Sequence, residues 1–275
     1  MITREELAEM FGATLPIEAA MILTSQEMLS EDEVRAELRA MVPKKVKSKL
    51  YAHVLLDRSG SMESCRDTTI DAFNEYVNGL AKNPDLDTRV SLTTFDTESI
   101  DLVFDCVPAG DFKKLTRATY VPRGGTPLND AIGKTVVKID AVTLRDEERV
   151  ALVILTDGQE NSSREYVKDA VKALIEGRQK DKNWLVLFLG ANIDAFAEGV
   201  GRGATAGNSL QFTNHNVGSA MNAANLATAR YAVSGQSVHA NFTQQERMAA
   251  VDPFQQALDE NAKKQREKKG AGTGA

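Results

Sequence analysis

Asp57, Ser59 and Ser61 stand at alternate positions in Asp57-Arg58-Ser59-Gly60-Ser61, directly after the apolar run LYAHVLL at 50–56. Three oxygen-bearing side chains on one tight turn can converge on a common point, and Gly60 removes the Cβ that would hinder such a turn. A second carboxylate, Asp157, follows another apolar run, VALVILT at 150–156, and precedes Gly158. A further hydroxyl comes from the loop Arg123-Gly124-Gly125-Thr126-Pro127. Buried strands that each deliver an Asp at their carboxyl ends bring like charges together, which requires a cation or a proton. Carboxylates and hydroxyls together form a hard, all-oxygen donor set that suits Mg²⁺, Mn²⁺ or Ca²⁺ and does not suit zinc or copper. With only Asp57 and Asp157 charged, such an ion keeps residual positive charge and an open or water-filled position, which a carboxylate from outside can occupy.

Each residue also has a structural alternative. Ser59 or Ser61 can cap a helix, although Ser64 followed by Asp67 matches the capping-box pattern better and leaves the earlier hydroxyls without a structural task. Thr126 can cap the helix that Pro127 opens. Ser162 and Glu165 read as another capping box, and Glu160 and Asn161 either shape the choice of partner or fill the loop. Singly these readings are balanced; together the five oxygen donors are specific.

The elements that must position these residues follow from hydrophobic period. Near-continuous apolar runs at 50–56, 150–156 and 184–189 indicate strands covered on both faces, as in parallel sheets. RVSLTTF (89–95) predicts another strand, SIDLVF (99–104) an antiparallel edge partner for it, and SLQF (209–212) a short strand. Helical stripes run through Ile70, Phe73, Val77 and Leu80, through Leu128, Ala131, Ile132, Thr135, Val136 and Ile139, and through Tyr166, Val167, Ala170, Val171, Leu174 and Ile175. Strands alternating with amphipathic helices predict an α/β chain with a doubly wound, mostly parallel, Rossmann-like sheet, whose ligands collect at the carboxyl ends of the strands. Before it, residues 1–46 read as short helices (Leu7, Met10 and Phe11; Val34, Leu38 and Met41) and a basic linker. The main domain spans 47–235, with a helix near 214–232, and residues 236–275 read as a polar helix over 243–266 and a disordered basic tail.

Asp57-x-Ser59-x-Ser61, Thr126 and Asp157, set in LLDRSGSM, GGTPLNDAI and LTDGQEN, resemble the metal-ion-dependent adhesion site of von Willebrand factor A domains. The resemblance covers roughly residues 50–233, and all five motif positions carry the expected residue type. It implies that Ser59, Ser61 and Thr126 ligate the ion directly, that Asp57 and Asp157 act directly or through water, and that a partner's Glu or Asp completes the shell. The stretch LFLGANIDAFAEG is similar to bacterial and bacteriophage members. That similarity implies an AAA+ ATPase of the MoxR kind, or a phage virion or assembly component, as partner. The expected role is recognition, without catalysis; the rivals are a metal-dependent hydrolase, because an open ion site can activate water, and a phage protein in which the fold is purely structural.

Composition excludes other classes. The chain has 275 residues, 42% hydrophobic and 26% charged, with 33 Lys+Arg against 39 Asp+Glu for a net charge of −6. That balance does not suit a general nucleic-acid coat. Cys65 and Cys106 alone cannot form a disulfide framework, and their scarcity predicts a reducing compartment, the cytoplasm. No basic stretch followed by an apolar run opens the chain, and no segment reaches the ~20 apolar residues that span a bilayer. Gly201 to Ala206 imitates a dinucleotide fingerprint but follows no strand and opens no helix. Ser61 lacks a nucleophile elbow, and His53, His215 and His239 show no triad spacing; His53 falls within a buried strand as a core residue.

Overall fold

The computed structural model describes residues 19, 31–41, 47–141, 148–181, 184–191 and 193–251. These divide into two compact units, Met1–Val46 and Lys47–Ala275. In the first, helix α1 (Glu31–Met41) buries Val34 and Leu38, one turn apart on one stripe, and exposes Asp32, Glu33 and Glu37. The expected stripe at Leu7, Met10 and Phe11 lies outside the described residues.

The second unit is a six-stranded sheet in the order β3-β2-β1-β4-β5-β6. Its strands are β1 (Ser48–Asp57), β2 (Leu86–Phe95), β3 (Ile100–Pro108), β4 (Arg149–Thr156), β5 (Trp184–Ala191) and β6 (Ser209–Phe212). All neighbours are parallel except β2 and β3, so the doubly wound sheet with one antiparallel edge strand is the observed architecture. The apolar runs behave as their composition requires. Leu50, Ala52, Val54 and Leu56 of β1 face one layer, where α2 (Arg66–Lys82) and α6 (Val217–Ser234) supply Phe73, Val77, Ala220 and Ala224. Tyr51 and Leu55 face the other, against Ile132 and Val136 of α3 (Leu128–Asp140) and Val171 and Ile175 of α4 (Lys168–Asp181). A strand covered on both faces cannot alternate polar with apolar, hence the continuous runs.

Several local expectations are corrected. The edge strand β3 continues past residue 104 to Pro108 through irregular register, with Cys106 at φ +51. Helix α4 begins at Lys168, two residues later than its stripe; Val167 is exposed and Tyr166 is held differently, because Asp130 accepts the amides of Arg164, Glu165 and Tyr166 at 2.7–2.9 Å. That carboxylate turns the chain where Ser162 and Glu165 were expected to cap a helix. Nor do Ser64 and Asp67 form a capping box: a 3₁₀ turn over Gly60–Cys65 runs straight into α2, and Ser64 Oγ donates to the Ser61 carbonyl.

Past β5, α5 (Ala195–Gly201) leads to β6 with Gly203 at φ +92, so residues 201–206 close a helix and do not open one. Helix α6 ends on Gly235 in the left-handed conformation. Helix α7 (Gln244–Ala250) starts with a capping box from Thr243 and Glu246. Between them Ala240 and Phe242 join the core under α6, and Arg247 donates to the Ser209 carbonyl beside β6. The expected extension of this helix to 266 and the tail lie outside the described residues, of which none forms a helix long and apolar enough to cross a membrane.

His53 is fully buried, its Nε2 2.8 Å from Thr93 Oγ1, and burial lowers its pKa to about 4 despite the opposing charge of Asp105. The unfolded chain therefore takes up a proton between pH 6.5 and 4 that the folded chain refuses, and stability falls as pH falls through that window. From pH 7 to 4.5 this one group is expected to cost about 2 kcal/mol. Urea titrations of wild type and His53→Gln at both pH values check it: the gap between the two proteins must shift in favour of the variant at pH 4.5.

Candidate metal centre

The strand order places the topological switch between β1 and β4, where the crossovers diverge to opposite faces and leave a crevice at the carboxyl ends. Asp57 is the last residue of β1, and Asp157 directly follows β4. The two acids are therefore neighbours because their strands are paired in register from Leu50↔Arg149 to Leu56↔Leu155.

Asp57 is fully buried. Its Oδ1 accepts the Ser59 amide at 2.7 Å, and its Oδ2 accepts the Thr156 hydroxyl at 2.6 Å. Ser61 Oγ donates to Asp157 Oδ1 at 2.6 Å and lies 3.1 Å from Ser59 Oγ. A continuous chain of polar atoms thus links Asp57, Ser59, Ser61 and Asp157. Thr126, 2% exposed, comes from the third loop. Pro127 occupies the capping position of α3, so Thr126 is one residue too early to cap it. Its Oγ1 has no hydrogen-bond partner among the described residues. A Cβ added at Gly158 would lie 2.9 Å from this hydroxyl and 3.6 Å from Ser61 Oγ, so the two hydroxyls face the same small space beside a residue without a side chain.

Electrostatics make the cluster demanding. Burial lifts the Asp57 pKa to about 6, with the Asp157 charge acting in the same direction and the bonds from Thr156 and Ser59 opposing it. Burial also raises Asp157, against the bond from Ser61. The nearest arginines are engaged elsewhere: Arg58 pairs with Asp96 and Asp101, and Arg123 with Asp96 and Glu98. No basic side chain among the described residues forms an ion pair with Asp57 or Asp157. Among the described residues no three His, Cys, Asp or Glu side chains gather to hold a metal; carboxylates and hydroxyls are the donor types a hard cation takes. An unpartnered, nearly buried hydroxyl, a space that a Cβ would fill and an unbalanced pair of acids all fit such an ion.

The five residues singled out from the sequence are thus brought to one rim. Their supports were not. Thr156 reads as the last residue of an apolar strand, yet it donates to Asp57. Asn161 holds Thr126 from both sides, its Oδ1 accepting the Thr126 amide at 2.9 Å and its own amide donating to the Thr126 carbonyl at 3.2 Å. Glu160 accepts the amides of Ser162 and Ser163 on one oxygen and that of Asn129 on the other. Both residues build the loop, which answers the choice between partner contact and loop construction. Tyr120 donates its hydroxyl to the Asp57 carbonyl from the opposite side. Burial pushes the Cys65 thiol above its ordinary value.

No family model and no curated protein matches the sequence. Among solved structures, the von Willebrand factor domain of the type V pili tip protein Mfa5 from Porphyromonas gingivalis aligns with a TM-score of 0.50 at 11% identity, over 70% of this chain and 97% of that one. Proximal thread matrix protein 1 from the mussel byssus aligns at 0.49 and 14% identity, over 71% of this chain and 51% of its own. A further structure of that mussel protein, with a zinc-occupied adhesion-site motif, aligns at 0.47 and 16% identity. The chain spans about half the length of the mussel protein. The fold is that of a von Willebrand factor A domain.

Because Asp57 keeps a raised pKa, the metal-free fold gains this proton before the unfolded chain does, and the contribution of this one group to stability rises as pH falls from about 6 towards 3.8, opposite in sign to that of His53. At pH 7 the charge is a burden, so Asp57→Asn is expected to stabilise the EDTA-treated protein by roughly 1–3 kcal/mol. A lower melting temperature for the variant in EDTA would contradict this account of the site.

Proposed function

We propose that this chain is a recognition module that binds one divalent cation, Mg²⁺ or its relatives Mn²⁺ and Ca²⁺, and uses it to hold an Asp or Glu side chain of a protein partner. Ser59, Ser61 and Thr126 would be its direct ligands, with Asp57 and Asp157 acting directly or through water. Once bound, the cation would be held directly by three neutral hydroxyls and would keep its Lewis acidity for a third carboxylate, in a rim where such attraction exceeds that in bulk water. The observation that carries this reading is the buried pair of acids at the crevice of the sheet, with Ser59 and Ser61 between them, while the adjacent Arg58 pairs with Asp96 and Asp101 instead.

The protein's own residues define how the rim works. Thr156 and the Ser59 amide fix both Asp57 oxygens, so this acid serves as a stationary charge. Ser59 and Ser61 project from the 3₁₀ turn and its entry, and Asn161 locks the backbone of Thr126. The exposed side of the rim carries Thr97, Glu98, Arg123 and Gln159, which are placed to select among acidic partners. A hydrolase would need a general base beside the ion. Glu160, the third acid of the rim, has both oxygens on loop amides, which favours recognition over turnover. A cytoplasmic location suits the two unpaired cysteines, Cys65 and Cys106. An AAA+ ATPase of the MoxR kind and a bacteriophage assembly component are the partner classes we favour.

Titration calorimetry with MgCl₂ and MnCl₂ is expected to show one site, and Thr126→Ala to weaken it about tenfold or more. Capture of a protein from native lysate by the immobilised chain is expected to be lost both in EDTA and in the Thr126→Ala variant. Absence of divalent binding to the wild-type chain, or capture indifferent to EDTA, defeats the proposal.

A further inference from the structure

The β2–β3 turn, residues 96–99, supplies none of the five candidate ligands, yet it grips both loops that carry the hydroxyls. The side chain of Asp96 is wholly shielded from solvent, and one of its oxygens receives the guanidinium of Arg58 at 2.6 Å and that of Arg123 at 3.0 Å. Arg58 sits between Asp57 and Ser59, and Arg123 three residues before Thr126. The other Asp96 oxygen accepts the amides of Glu98 and Ser99 at 2.7 and 3.0 Å, so the carboxylate is anchored to its own turn. Thr97 adds another hold: its Oγ1 accepts the Gly125 amide at 3.1 Å and lies where a Cβ on Gly124 would come within 2.2 Å. Backbone bonds complete the clamp, from Arg58 N to the Phe95 carbonyl, from Arg123 N to the Arg58 carbonyl and from Gly60 N to the Gly124 carbonyl.

We propose that Asp96 is a positioning residue that sets the ion preference of the centre, by holding the Ser59–Ser61 turn and the Thr126 loop at a separation suited to a small, octahedral cation. The inference rests on the metal-binding reading above. Mg²⁺ demands short oxygen contacts in near-ideal octahedral array, whereas Ca²⁺ accepts longer and less regular ones, so a frame that loosens loses Mg²⁺ first. Asn at position 96 keeps the acceptor for the two turn amides but removes the charge that draws two guanidiniums to one point. Arg58 keeps Asp101 and Arg123 keeps Glu98, so each guanidinium stays paired, but the one charge they share is gone and the two loops are no longer drawn to a common point.

Calorimetric titration of the full chain with MgCl₂ and, separately, with CaCl₂ tests this for wild type, Asp96→Asn and Arg123→Gln, with circular dichroism to verify folding. In Asp96→Asn the Mg²⁺ affinity is expected to fall about tenfold or more and the Ca²⁺ affinity less than about threefold. Arg123→Gln is expected to shift the same ratio by a smaller factor, and it decides the matter alone if Asp96→Asn does not fold. A purely electrostatic loss would weaken both ions in parallel, and a purely structural staple would move neither; either result overturns the proposal, as does a wild-type chain that binds Ca²⁺ but not Mg²⁺. A wild-type chain that binds neither ion defeats the metal-binding reading as well. Wild-type Mg²⁺ binding with an unchanged ratio in both variants removes only the role of Asp96.

Discussion

Two carboxylates buried side by side at the ends of paired strands are the constraint around which this molecule is organised. Asp57 and Asp157 cannot move apart, because β1 and β4 are hydrogen-bonded in register up to the residues before them. Asp57 is fully buried and Asp157 nearly so, at the carboxyl edge of a sheet that helices cover on both faces. Buried charges of one sign are tolerated only when donors or a cation compensate them. The donors present are few: the Thr156 hydroxyl and Ser59 amide for Asp57, and the Ser61 hydroxyl for Asp157. Burial accordingly raises both acids above the ordinary carboxylate range. A site kept in that condition stores a cost that a divalent cation would relieve, which is how binding energy is built into many functional centres.

The rest of the rim shows acids used in a different way, as builders of irregular backbone. Loops expose amides that no helix or sheet satisfies, and buried amides need partners. Asp130 accepts three of them, Glu160 accepts three, and Asp96 accepts two while also receiving two guanidiniums. Asp96 and Asp130 consequently fall below the ordinary range: burial pushes each upward, but the amide bonds, with the guanidiniums for Asp96, outweigh it. Neighbouring acids on one rim are thus divided by environment into those rich in donors, which are structural, and those poor in donors, which are available to a ligand.

Much of the fold was legible because hydrophobic period is a local property. Continuous runs at 50–56, 150–156 and 184–189 became central parallel strands, and the stripe from Leu128 to Ile139 became the buried face of α3. The errors fell where a distant side chain overruled a local pattern. Tyr166 and Val167 continue the stripe of α4 in sequence, but Asp130 of α3 fixes the amides of Arg164, Glu165 and Tyr166 in a turn, and the helix starts only at Lys168. Ser64 and Asp67 match a capping box, but the 3₁₀ turn that carries Ser61 delivers the chain to α2 already wound, leaving no open helix end to cap.

The sequence by itself determined the composition of the candidate centre: two acids that each follow an apolar run, two hydroxyls on the turn after the first and a third in a Gly-rich loop. Those facts are readable because strand ends, turns and donor chemistry depend on residue type and short spacing. The expected need for Gly60 was not met, since a Cβ there would lie 3.4 Å from the Gly124 carbonyl. Tertiary structure alone decided which acids remained uncompensated and which were consumed. Pairing Arg58 with Asp96, Thr156 with Asp57 and Asn161 with Thr126 joins residues 38, 99 and 35 positions apart, respectively. Nothing in local spacing encodes such contacts; they exist because strand order brings the loop ends together, and electrostatic balance is a property of that meeting.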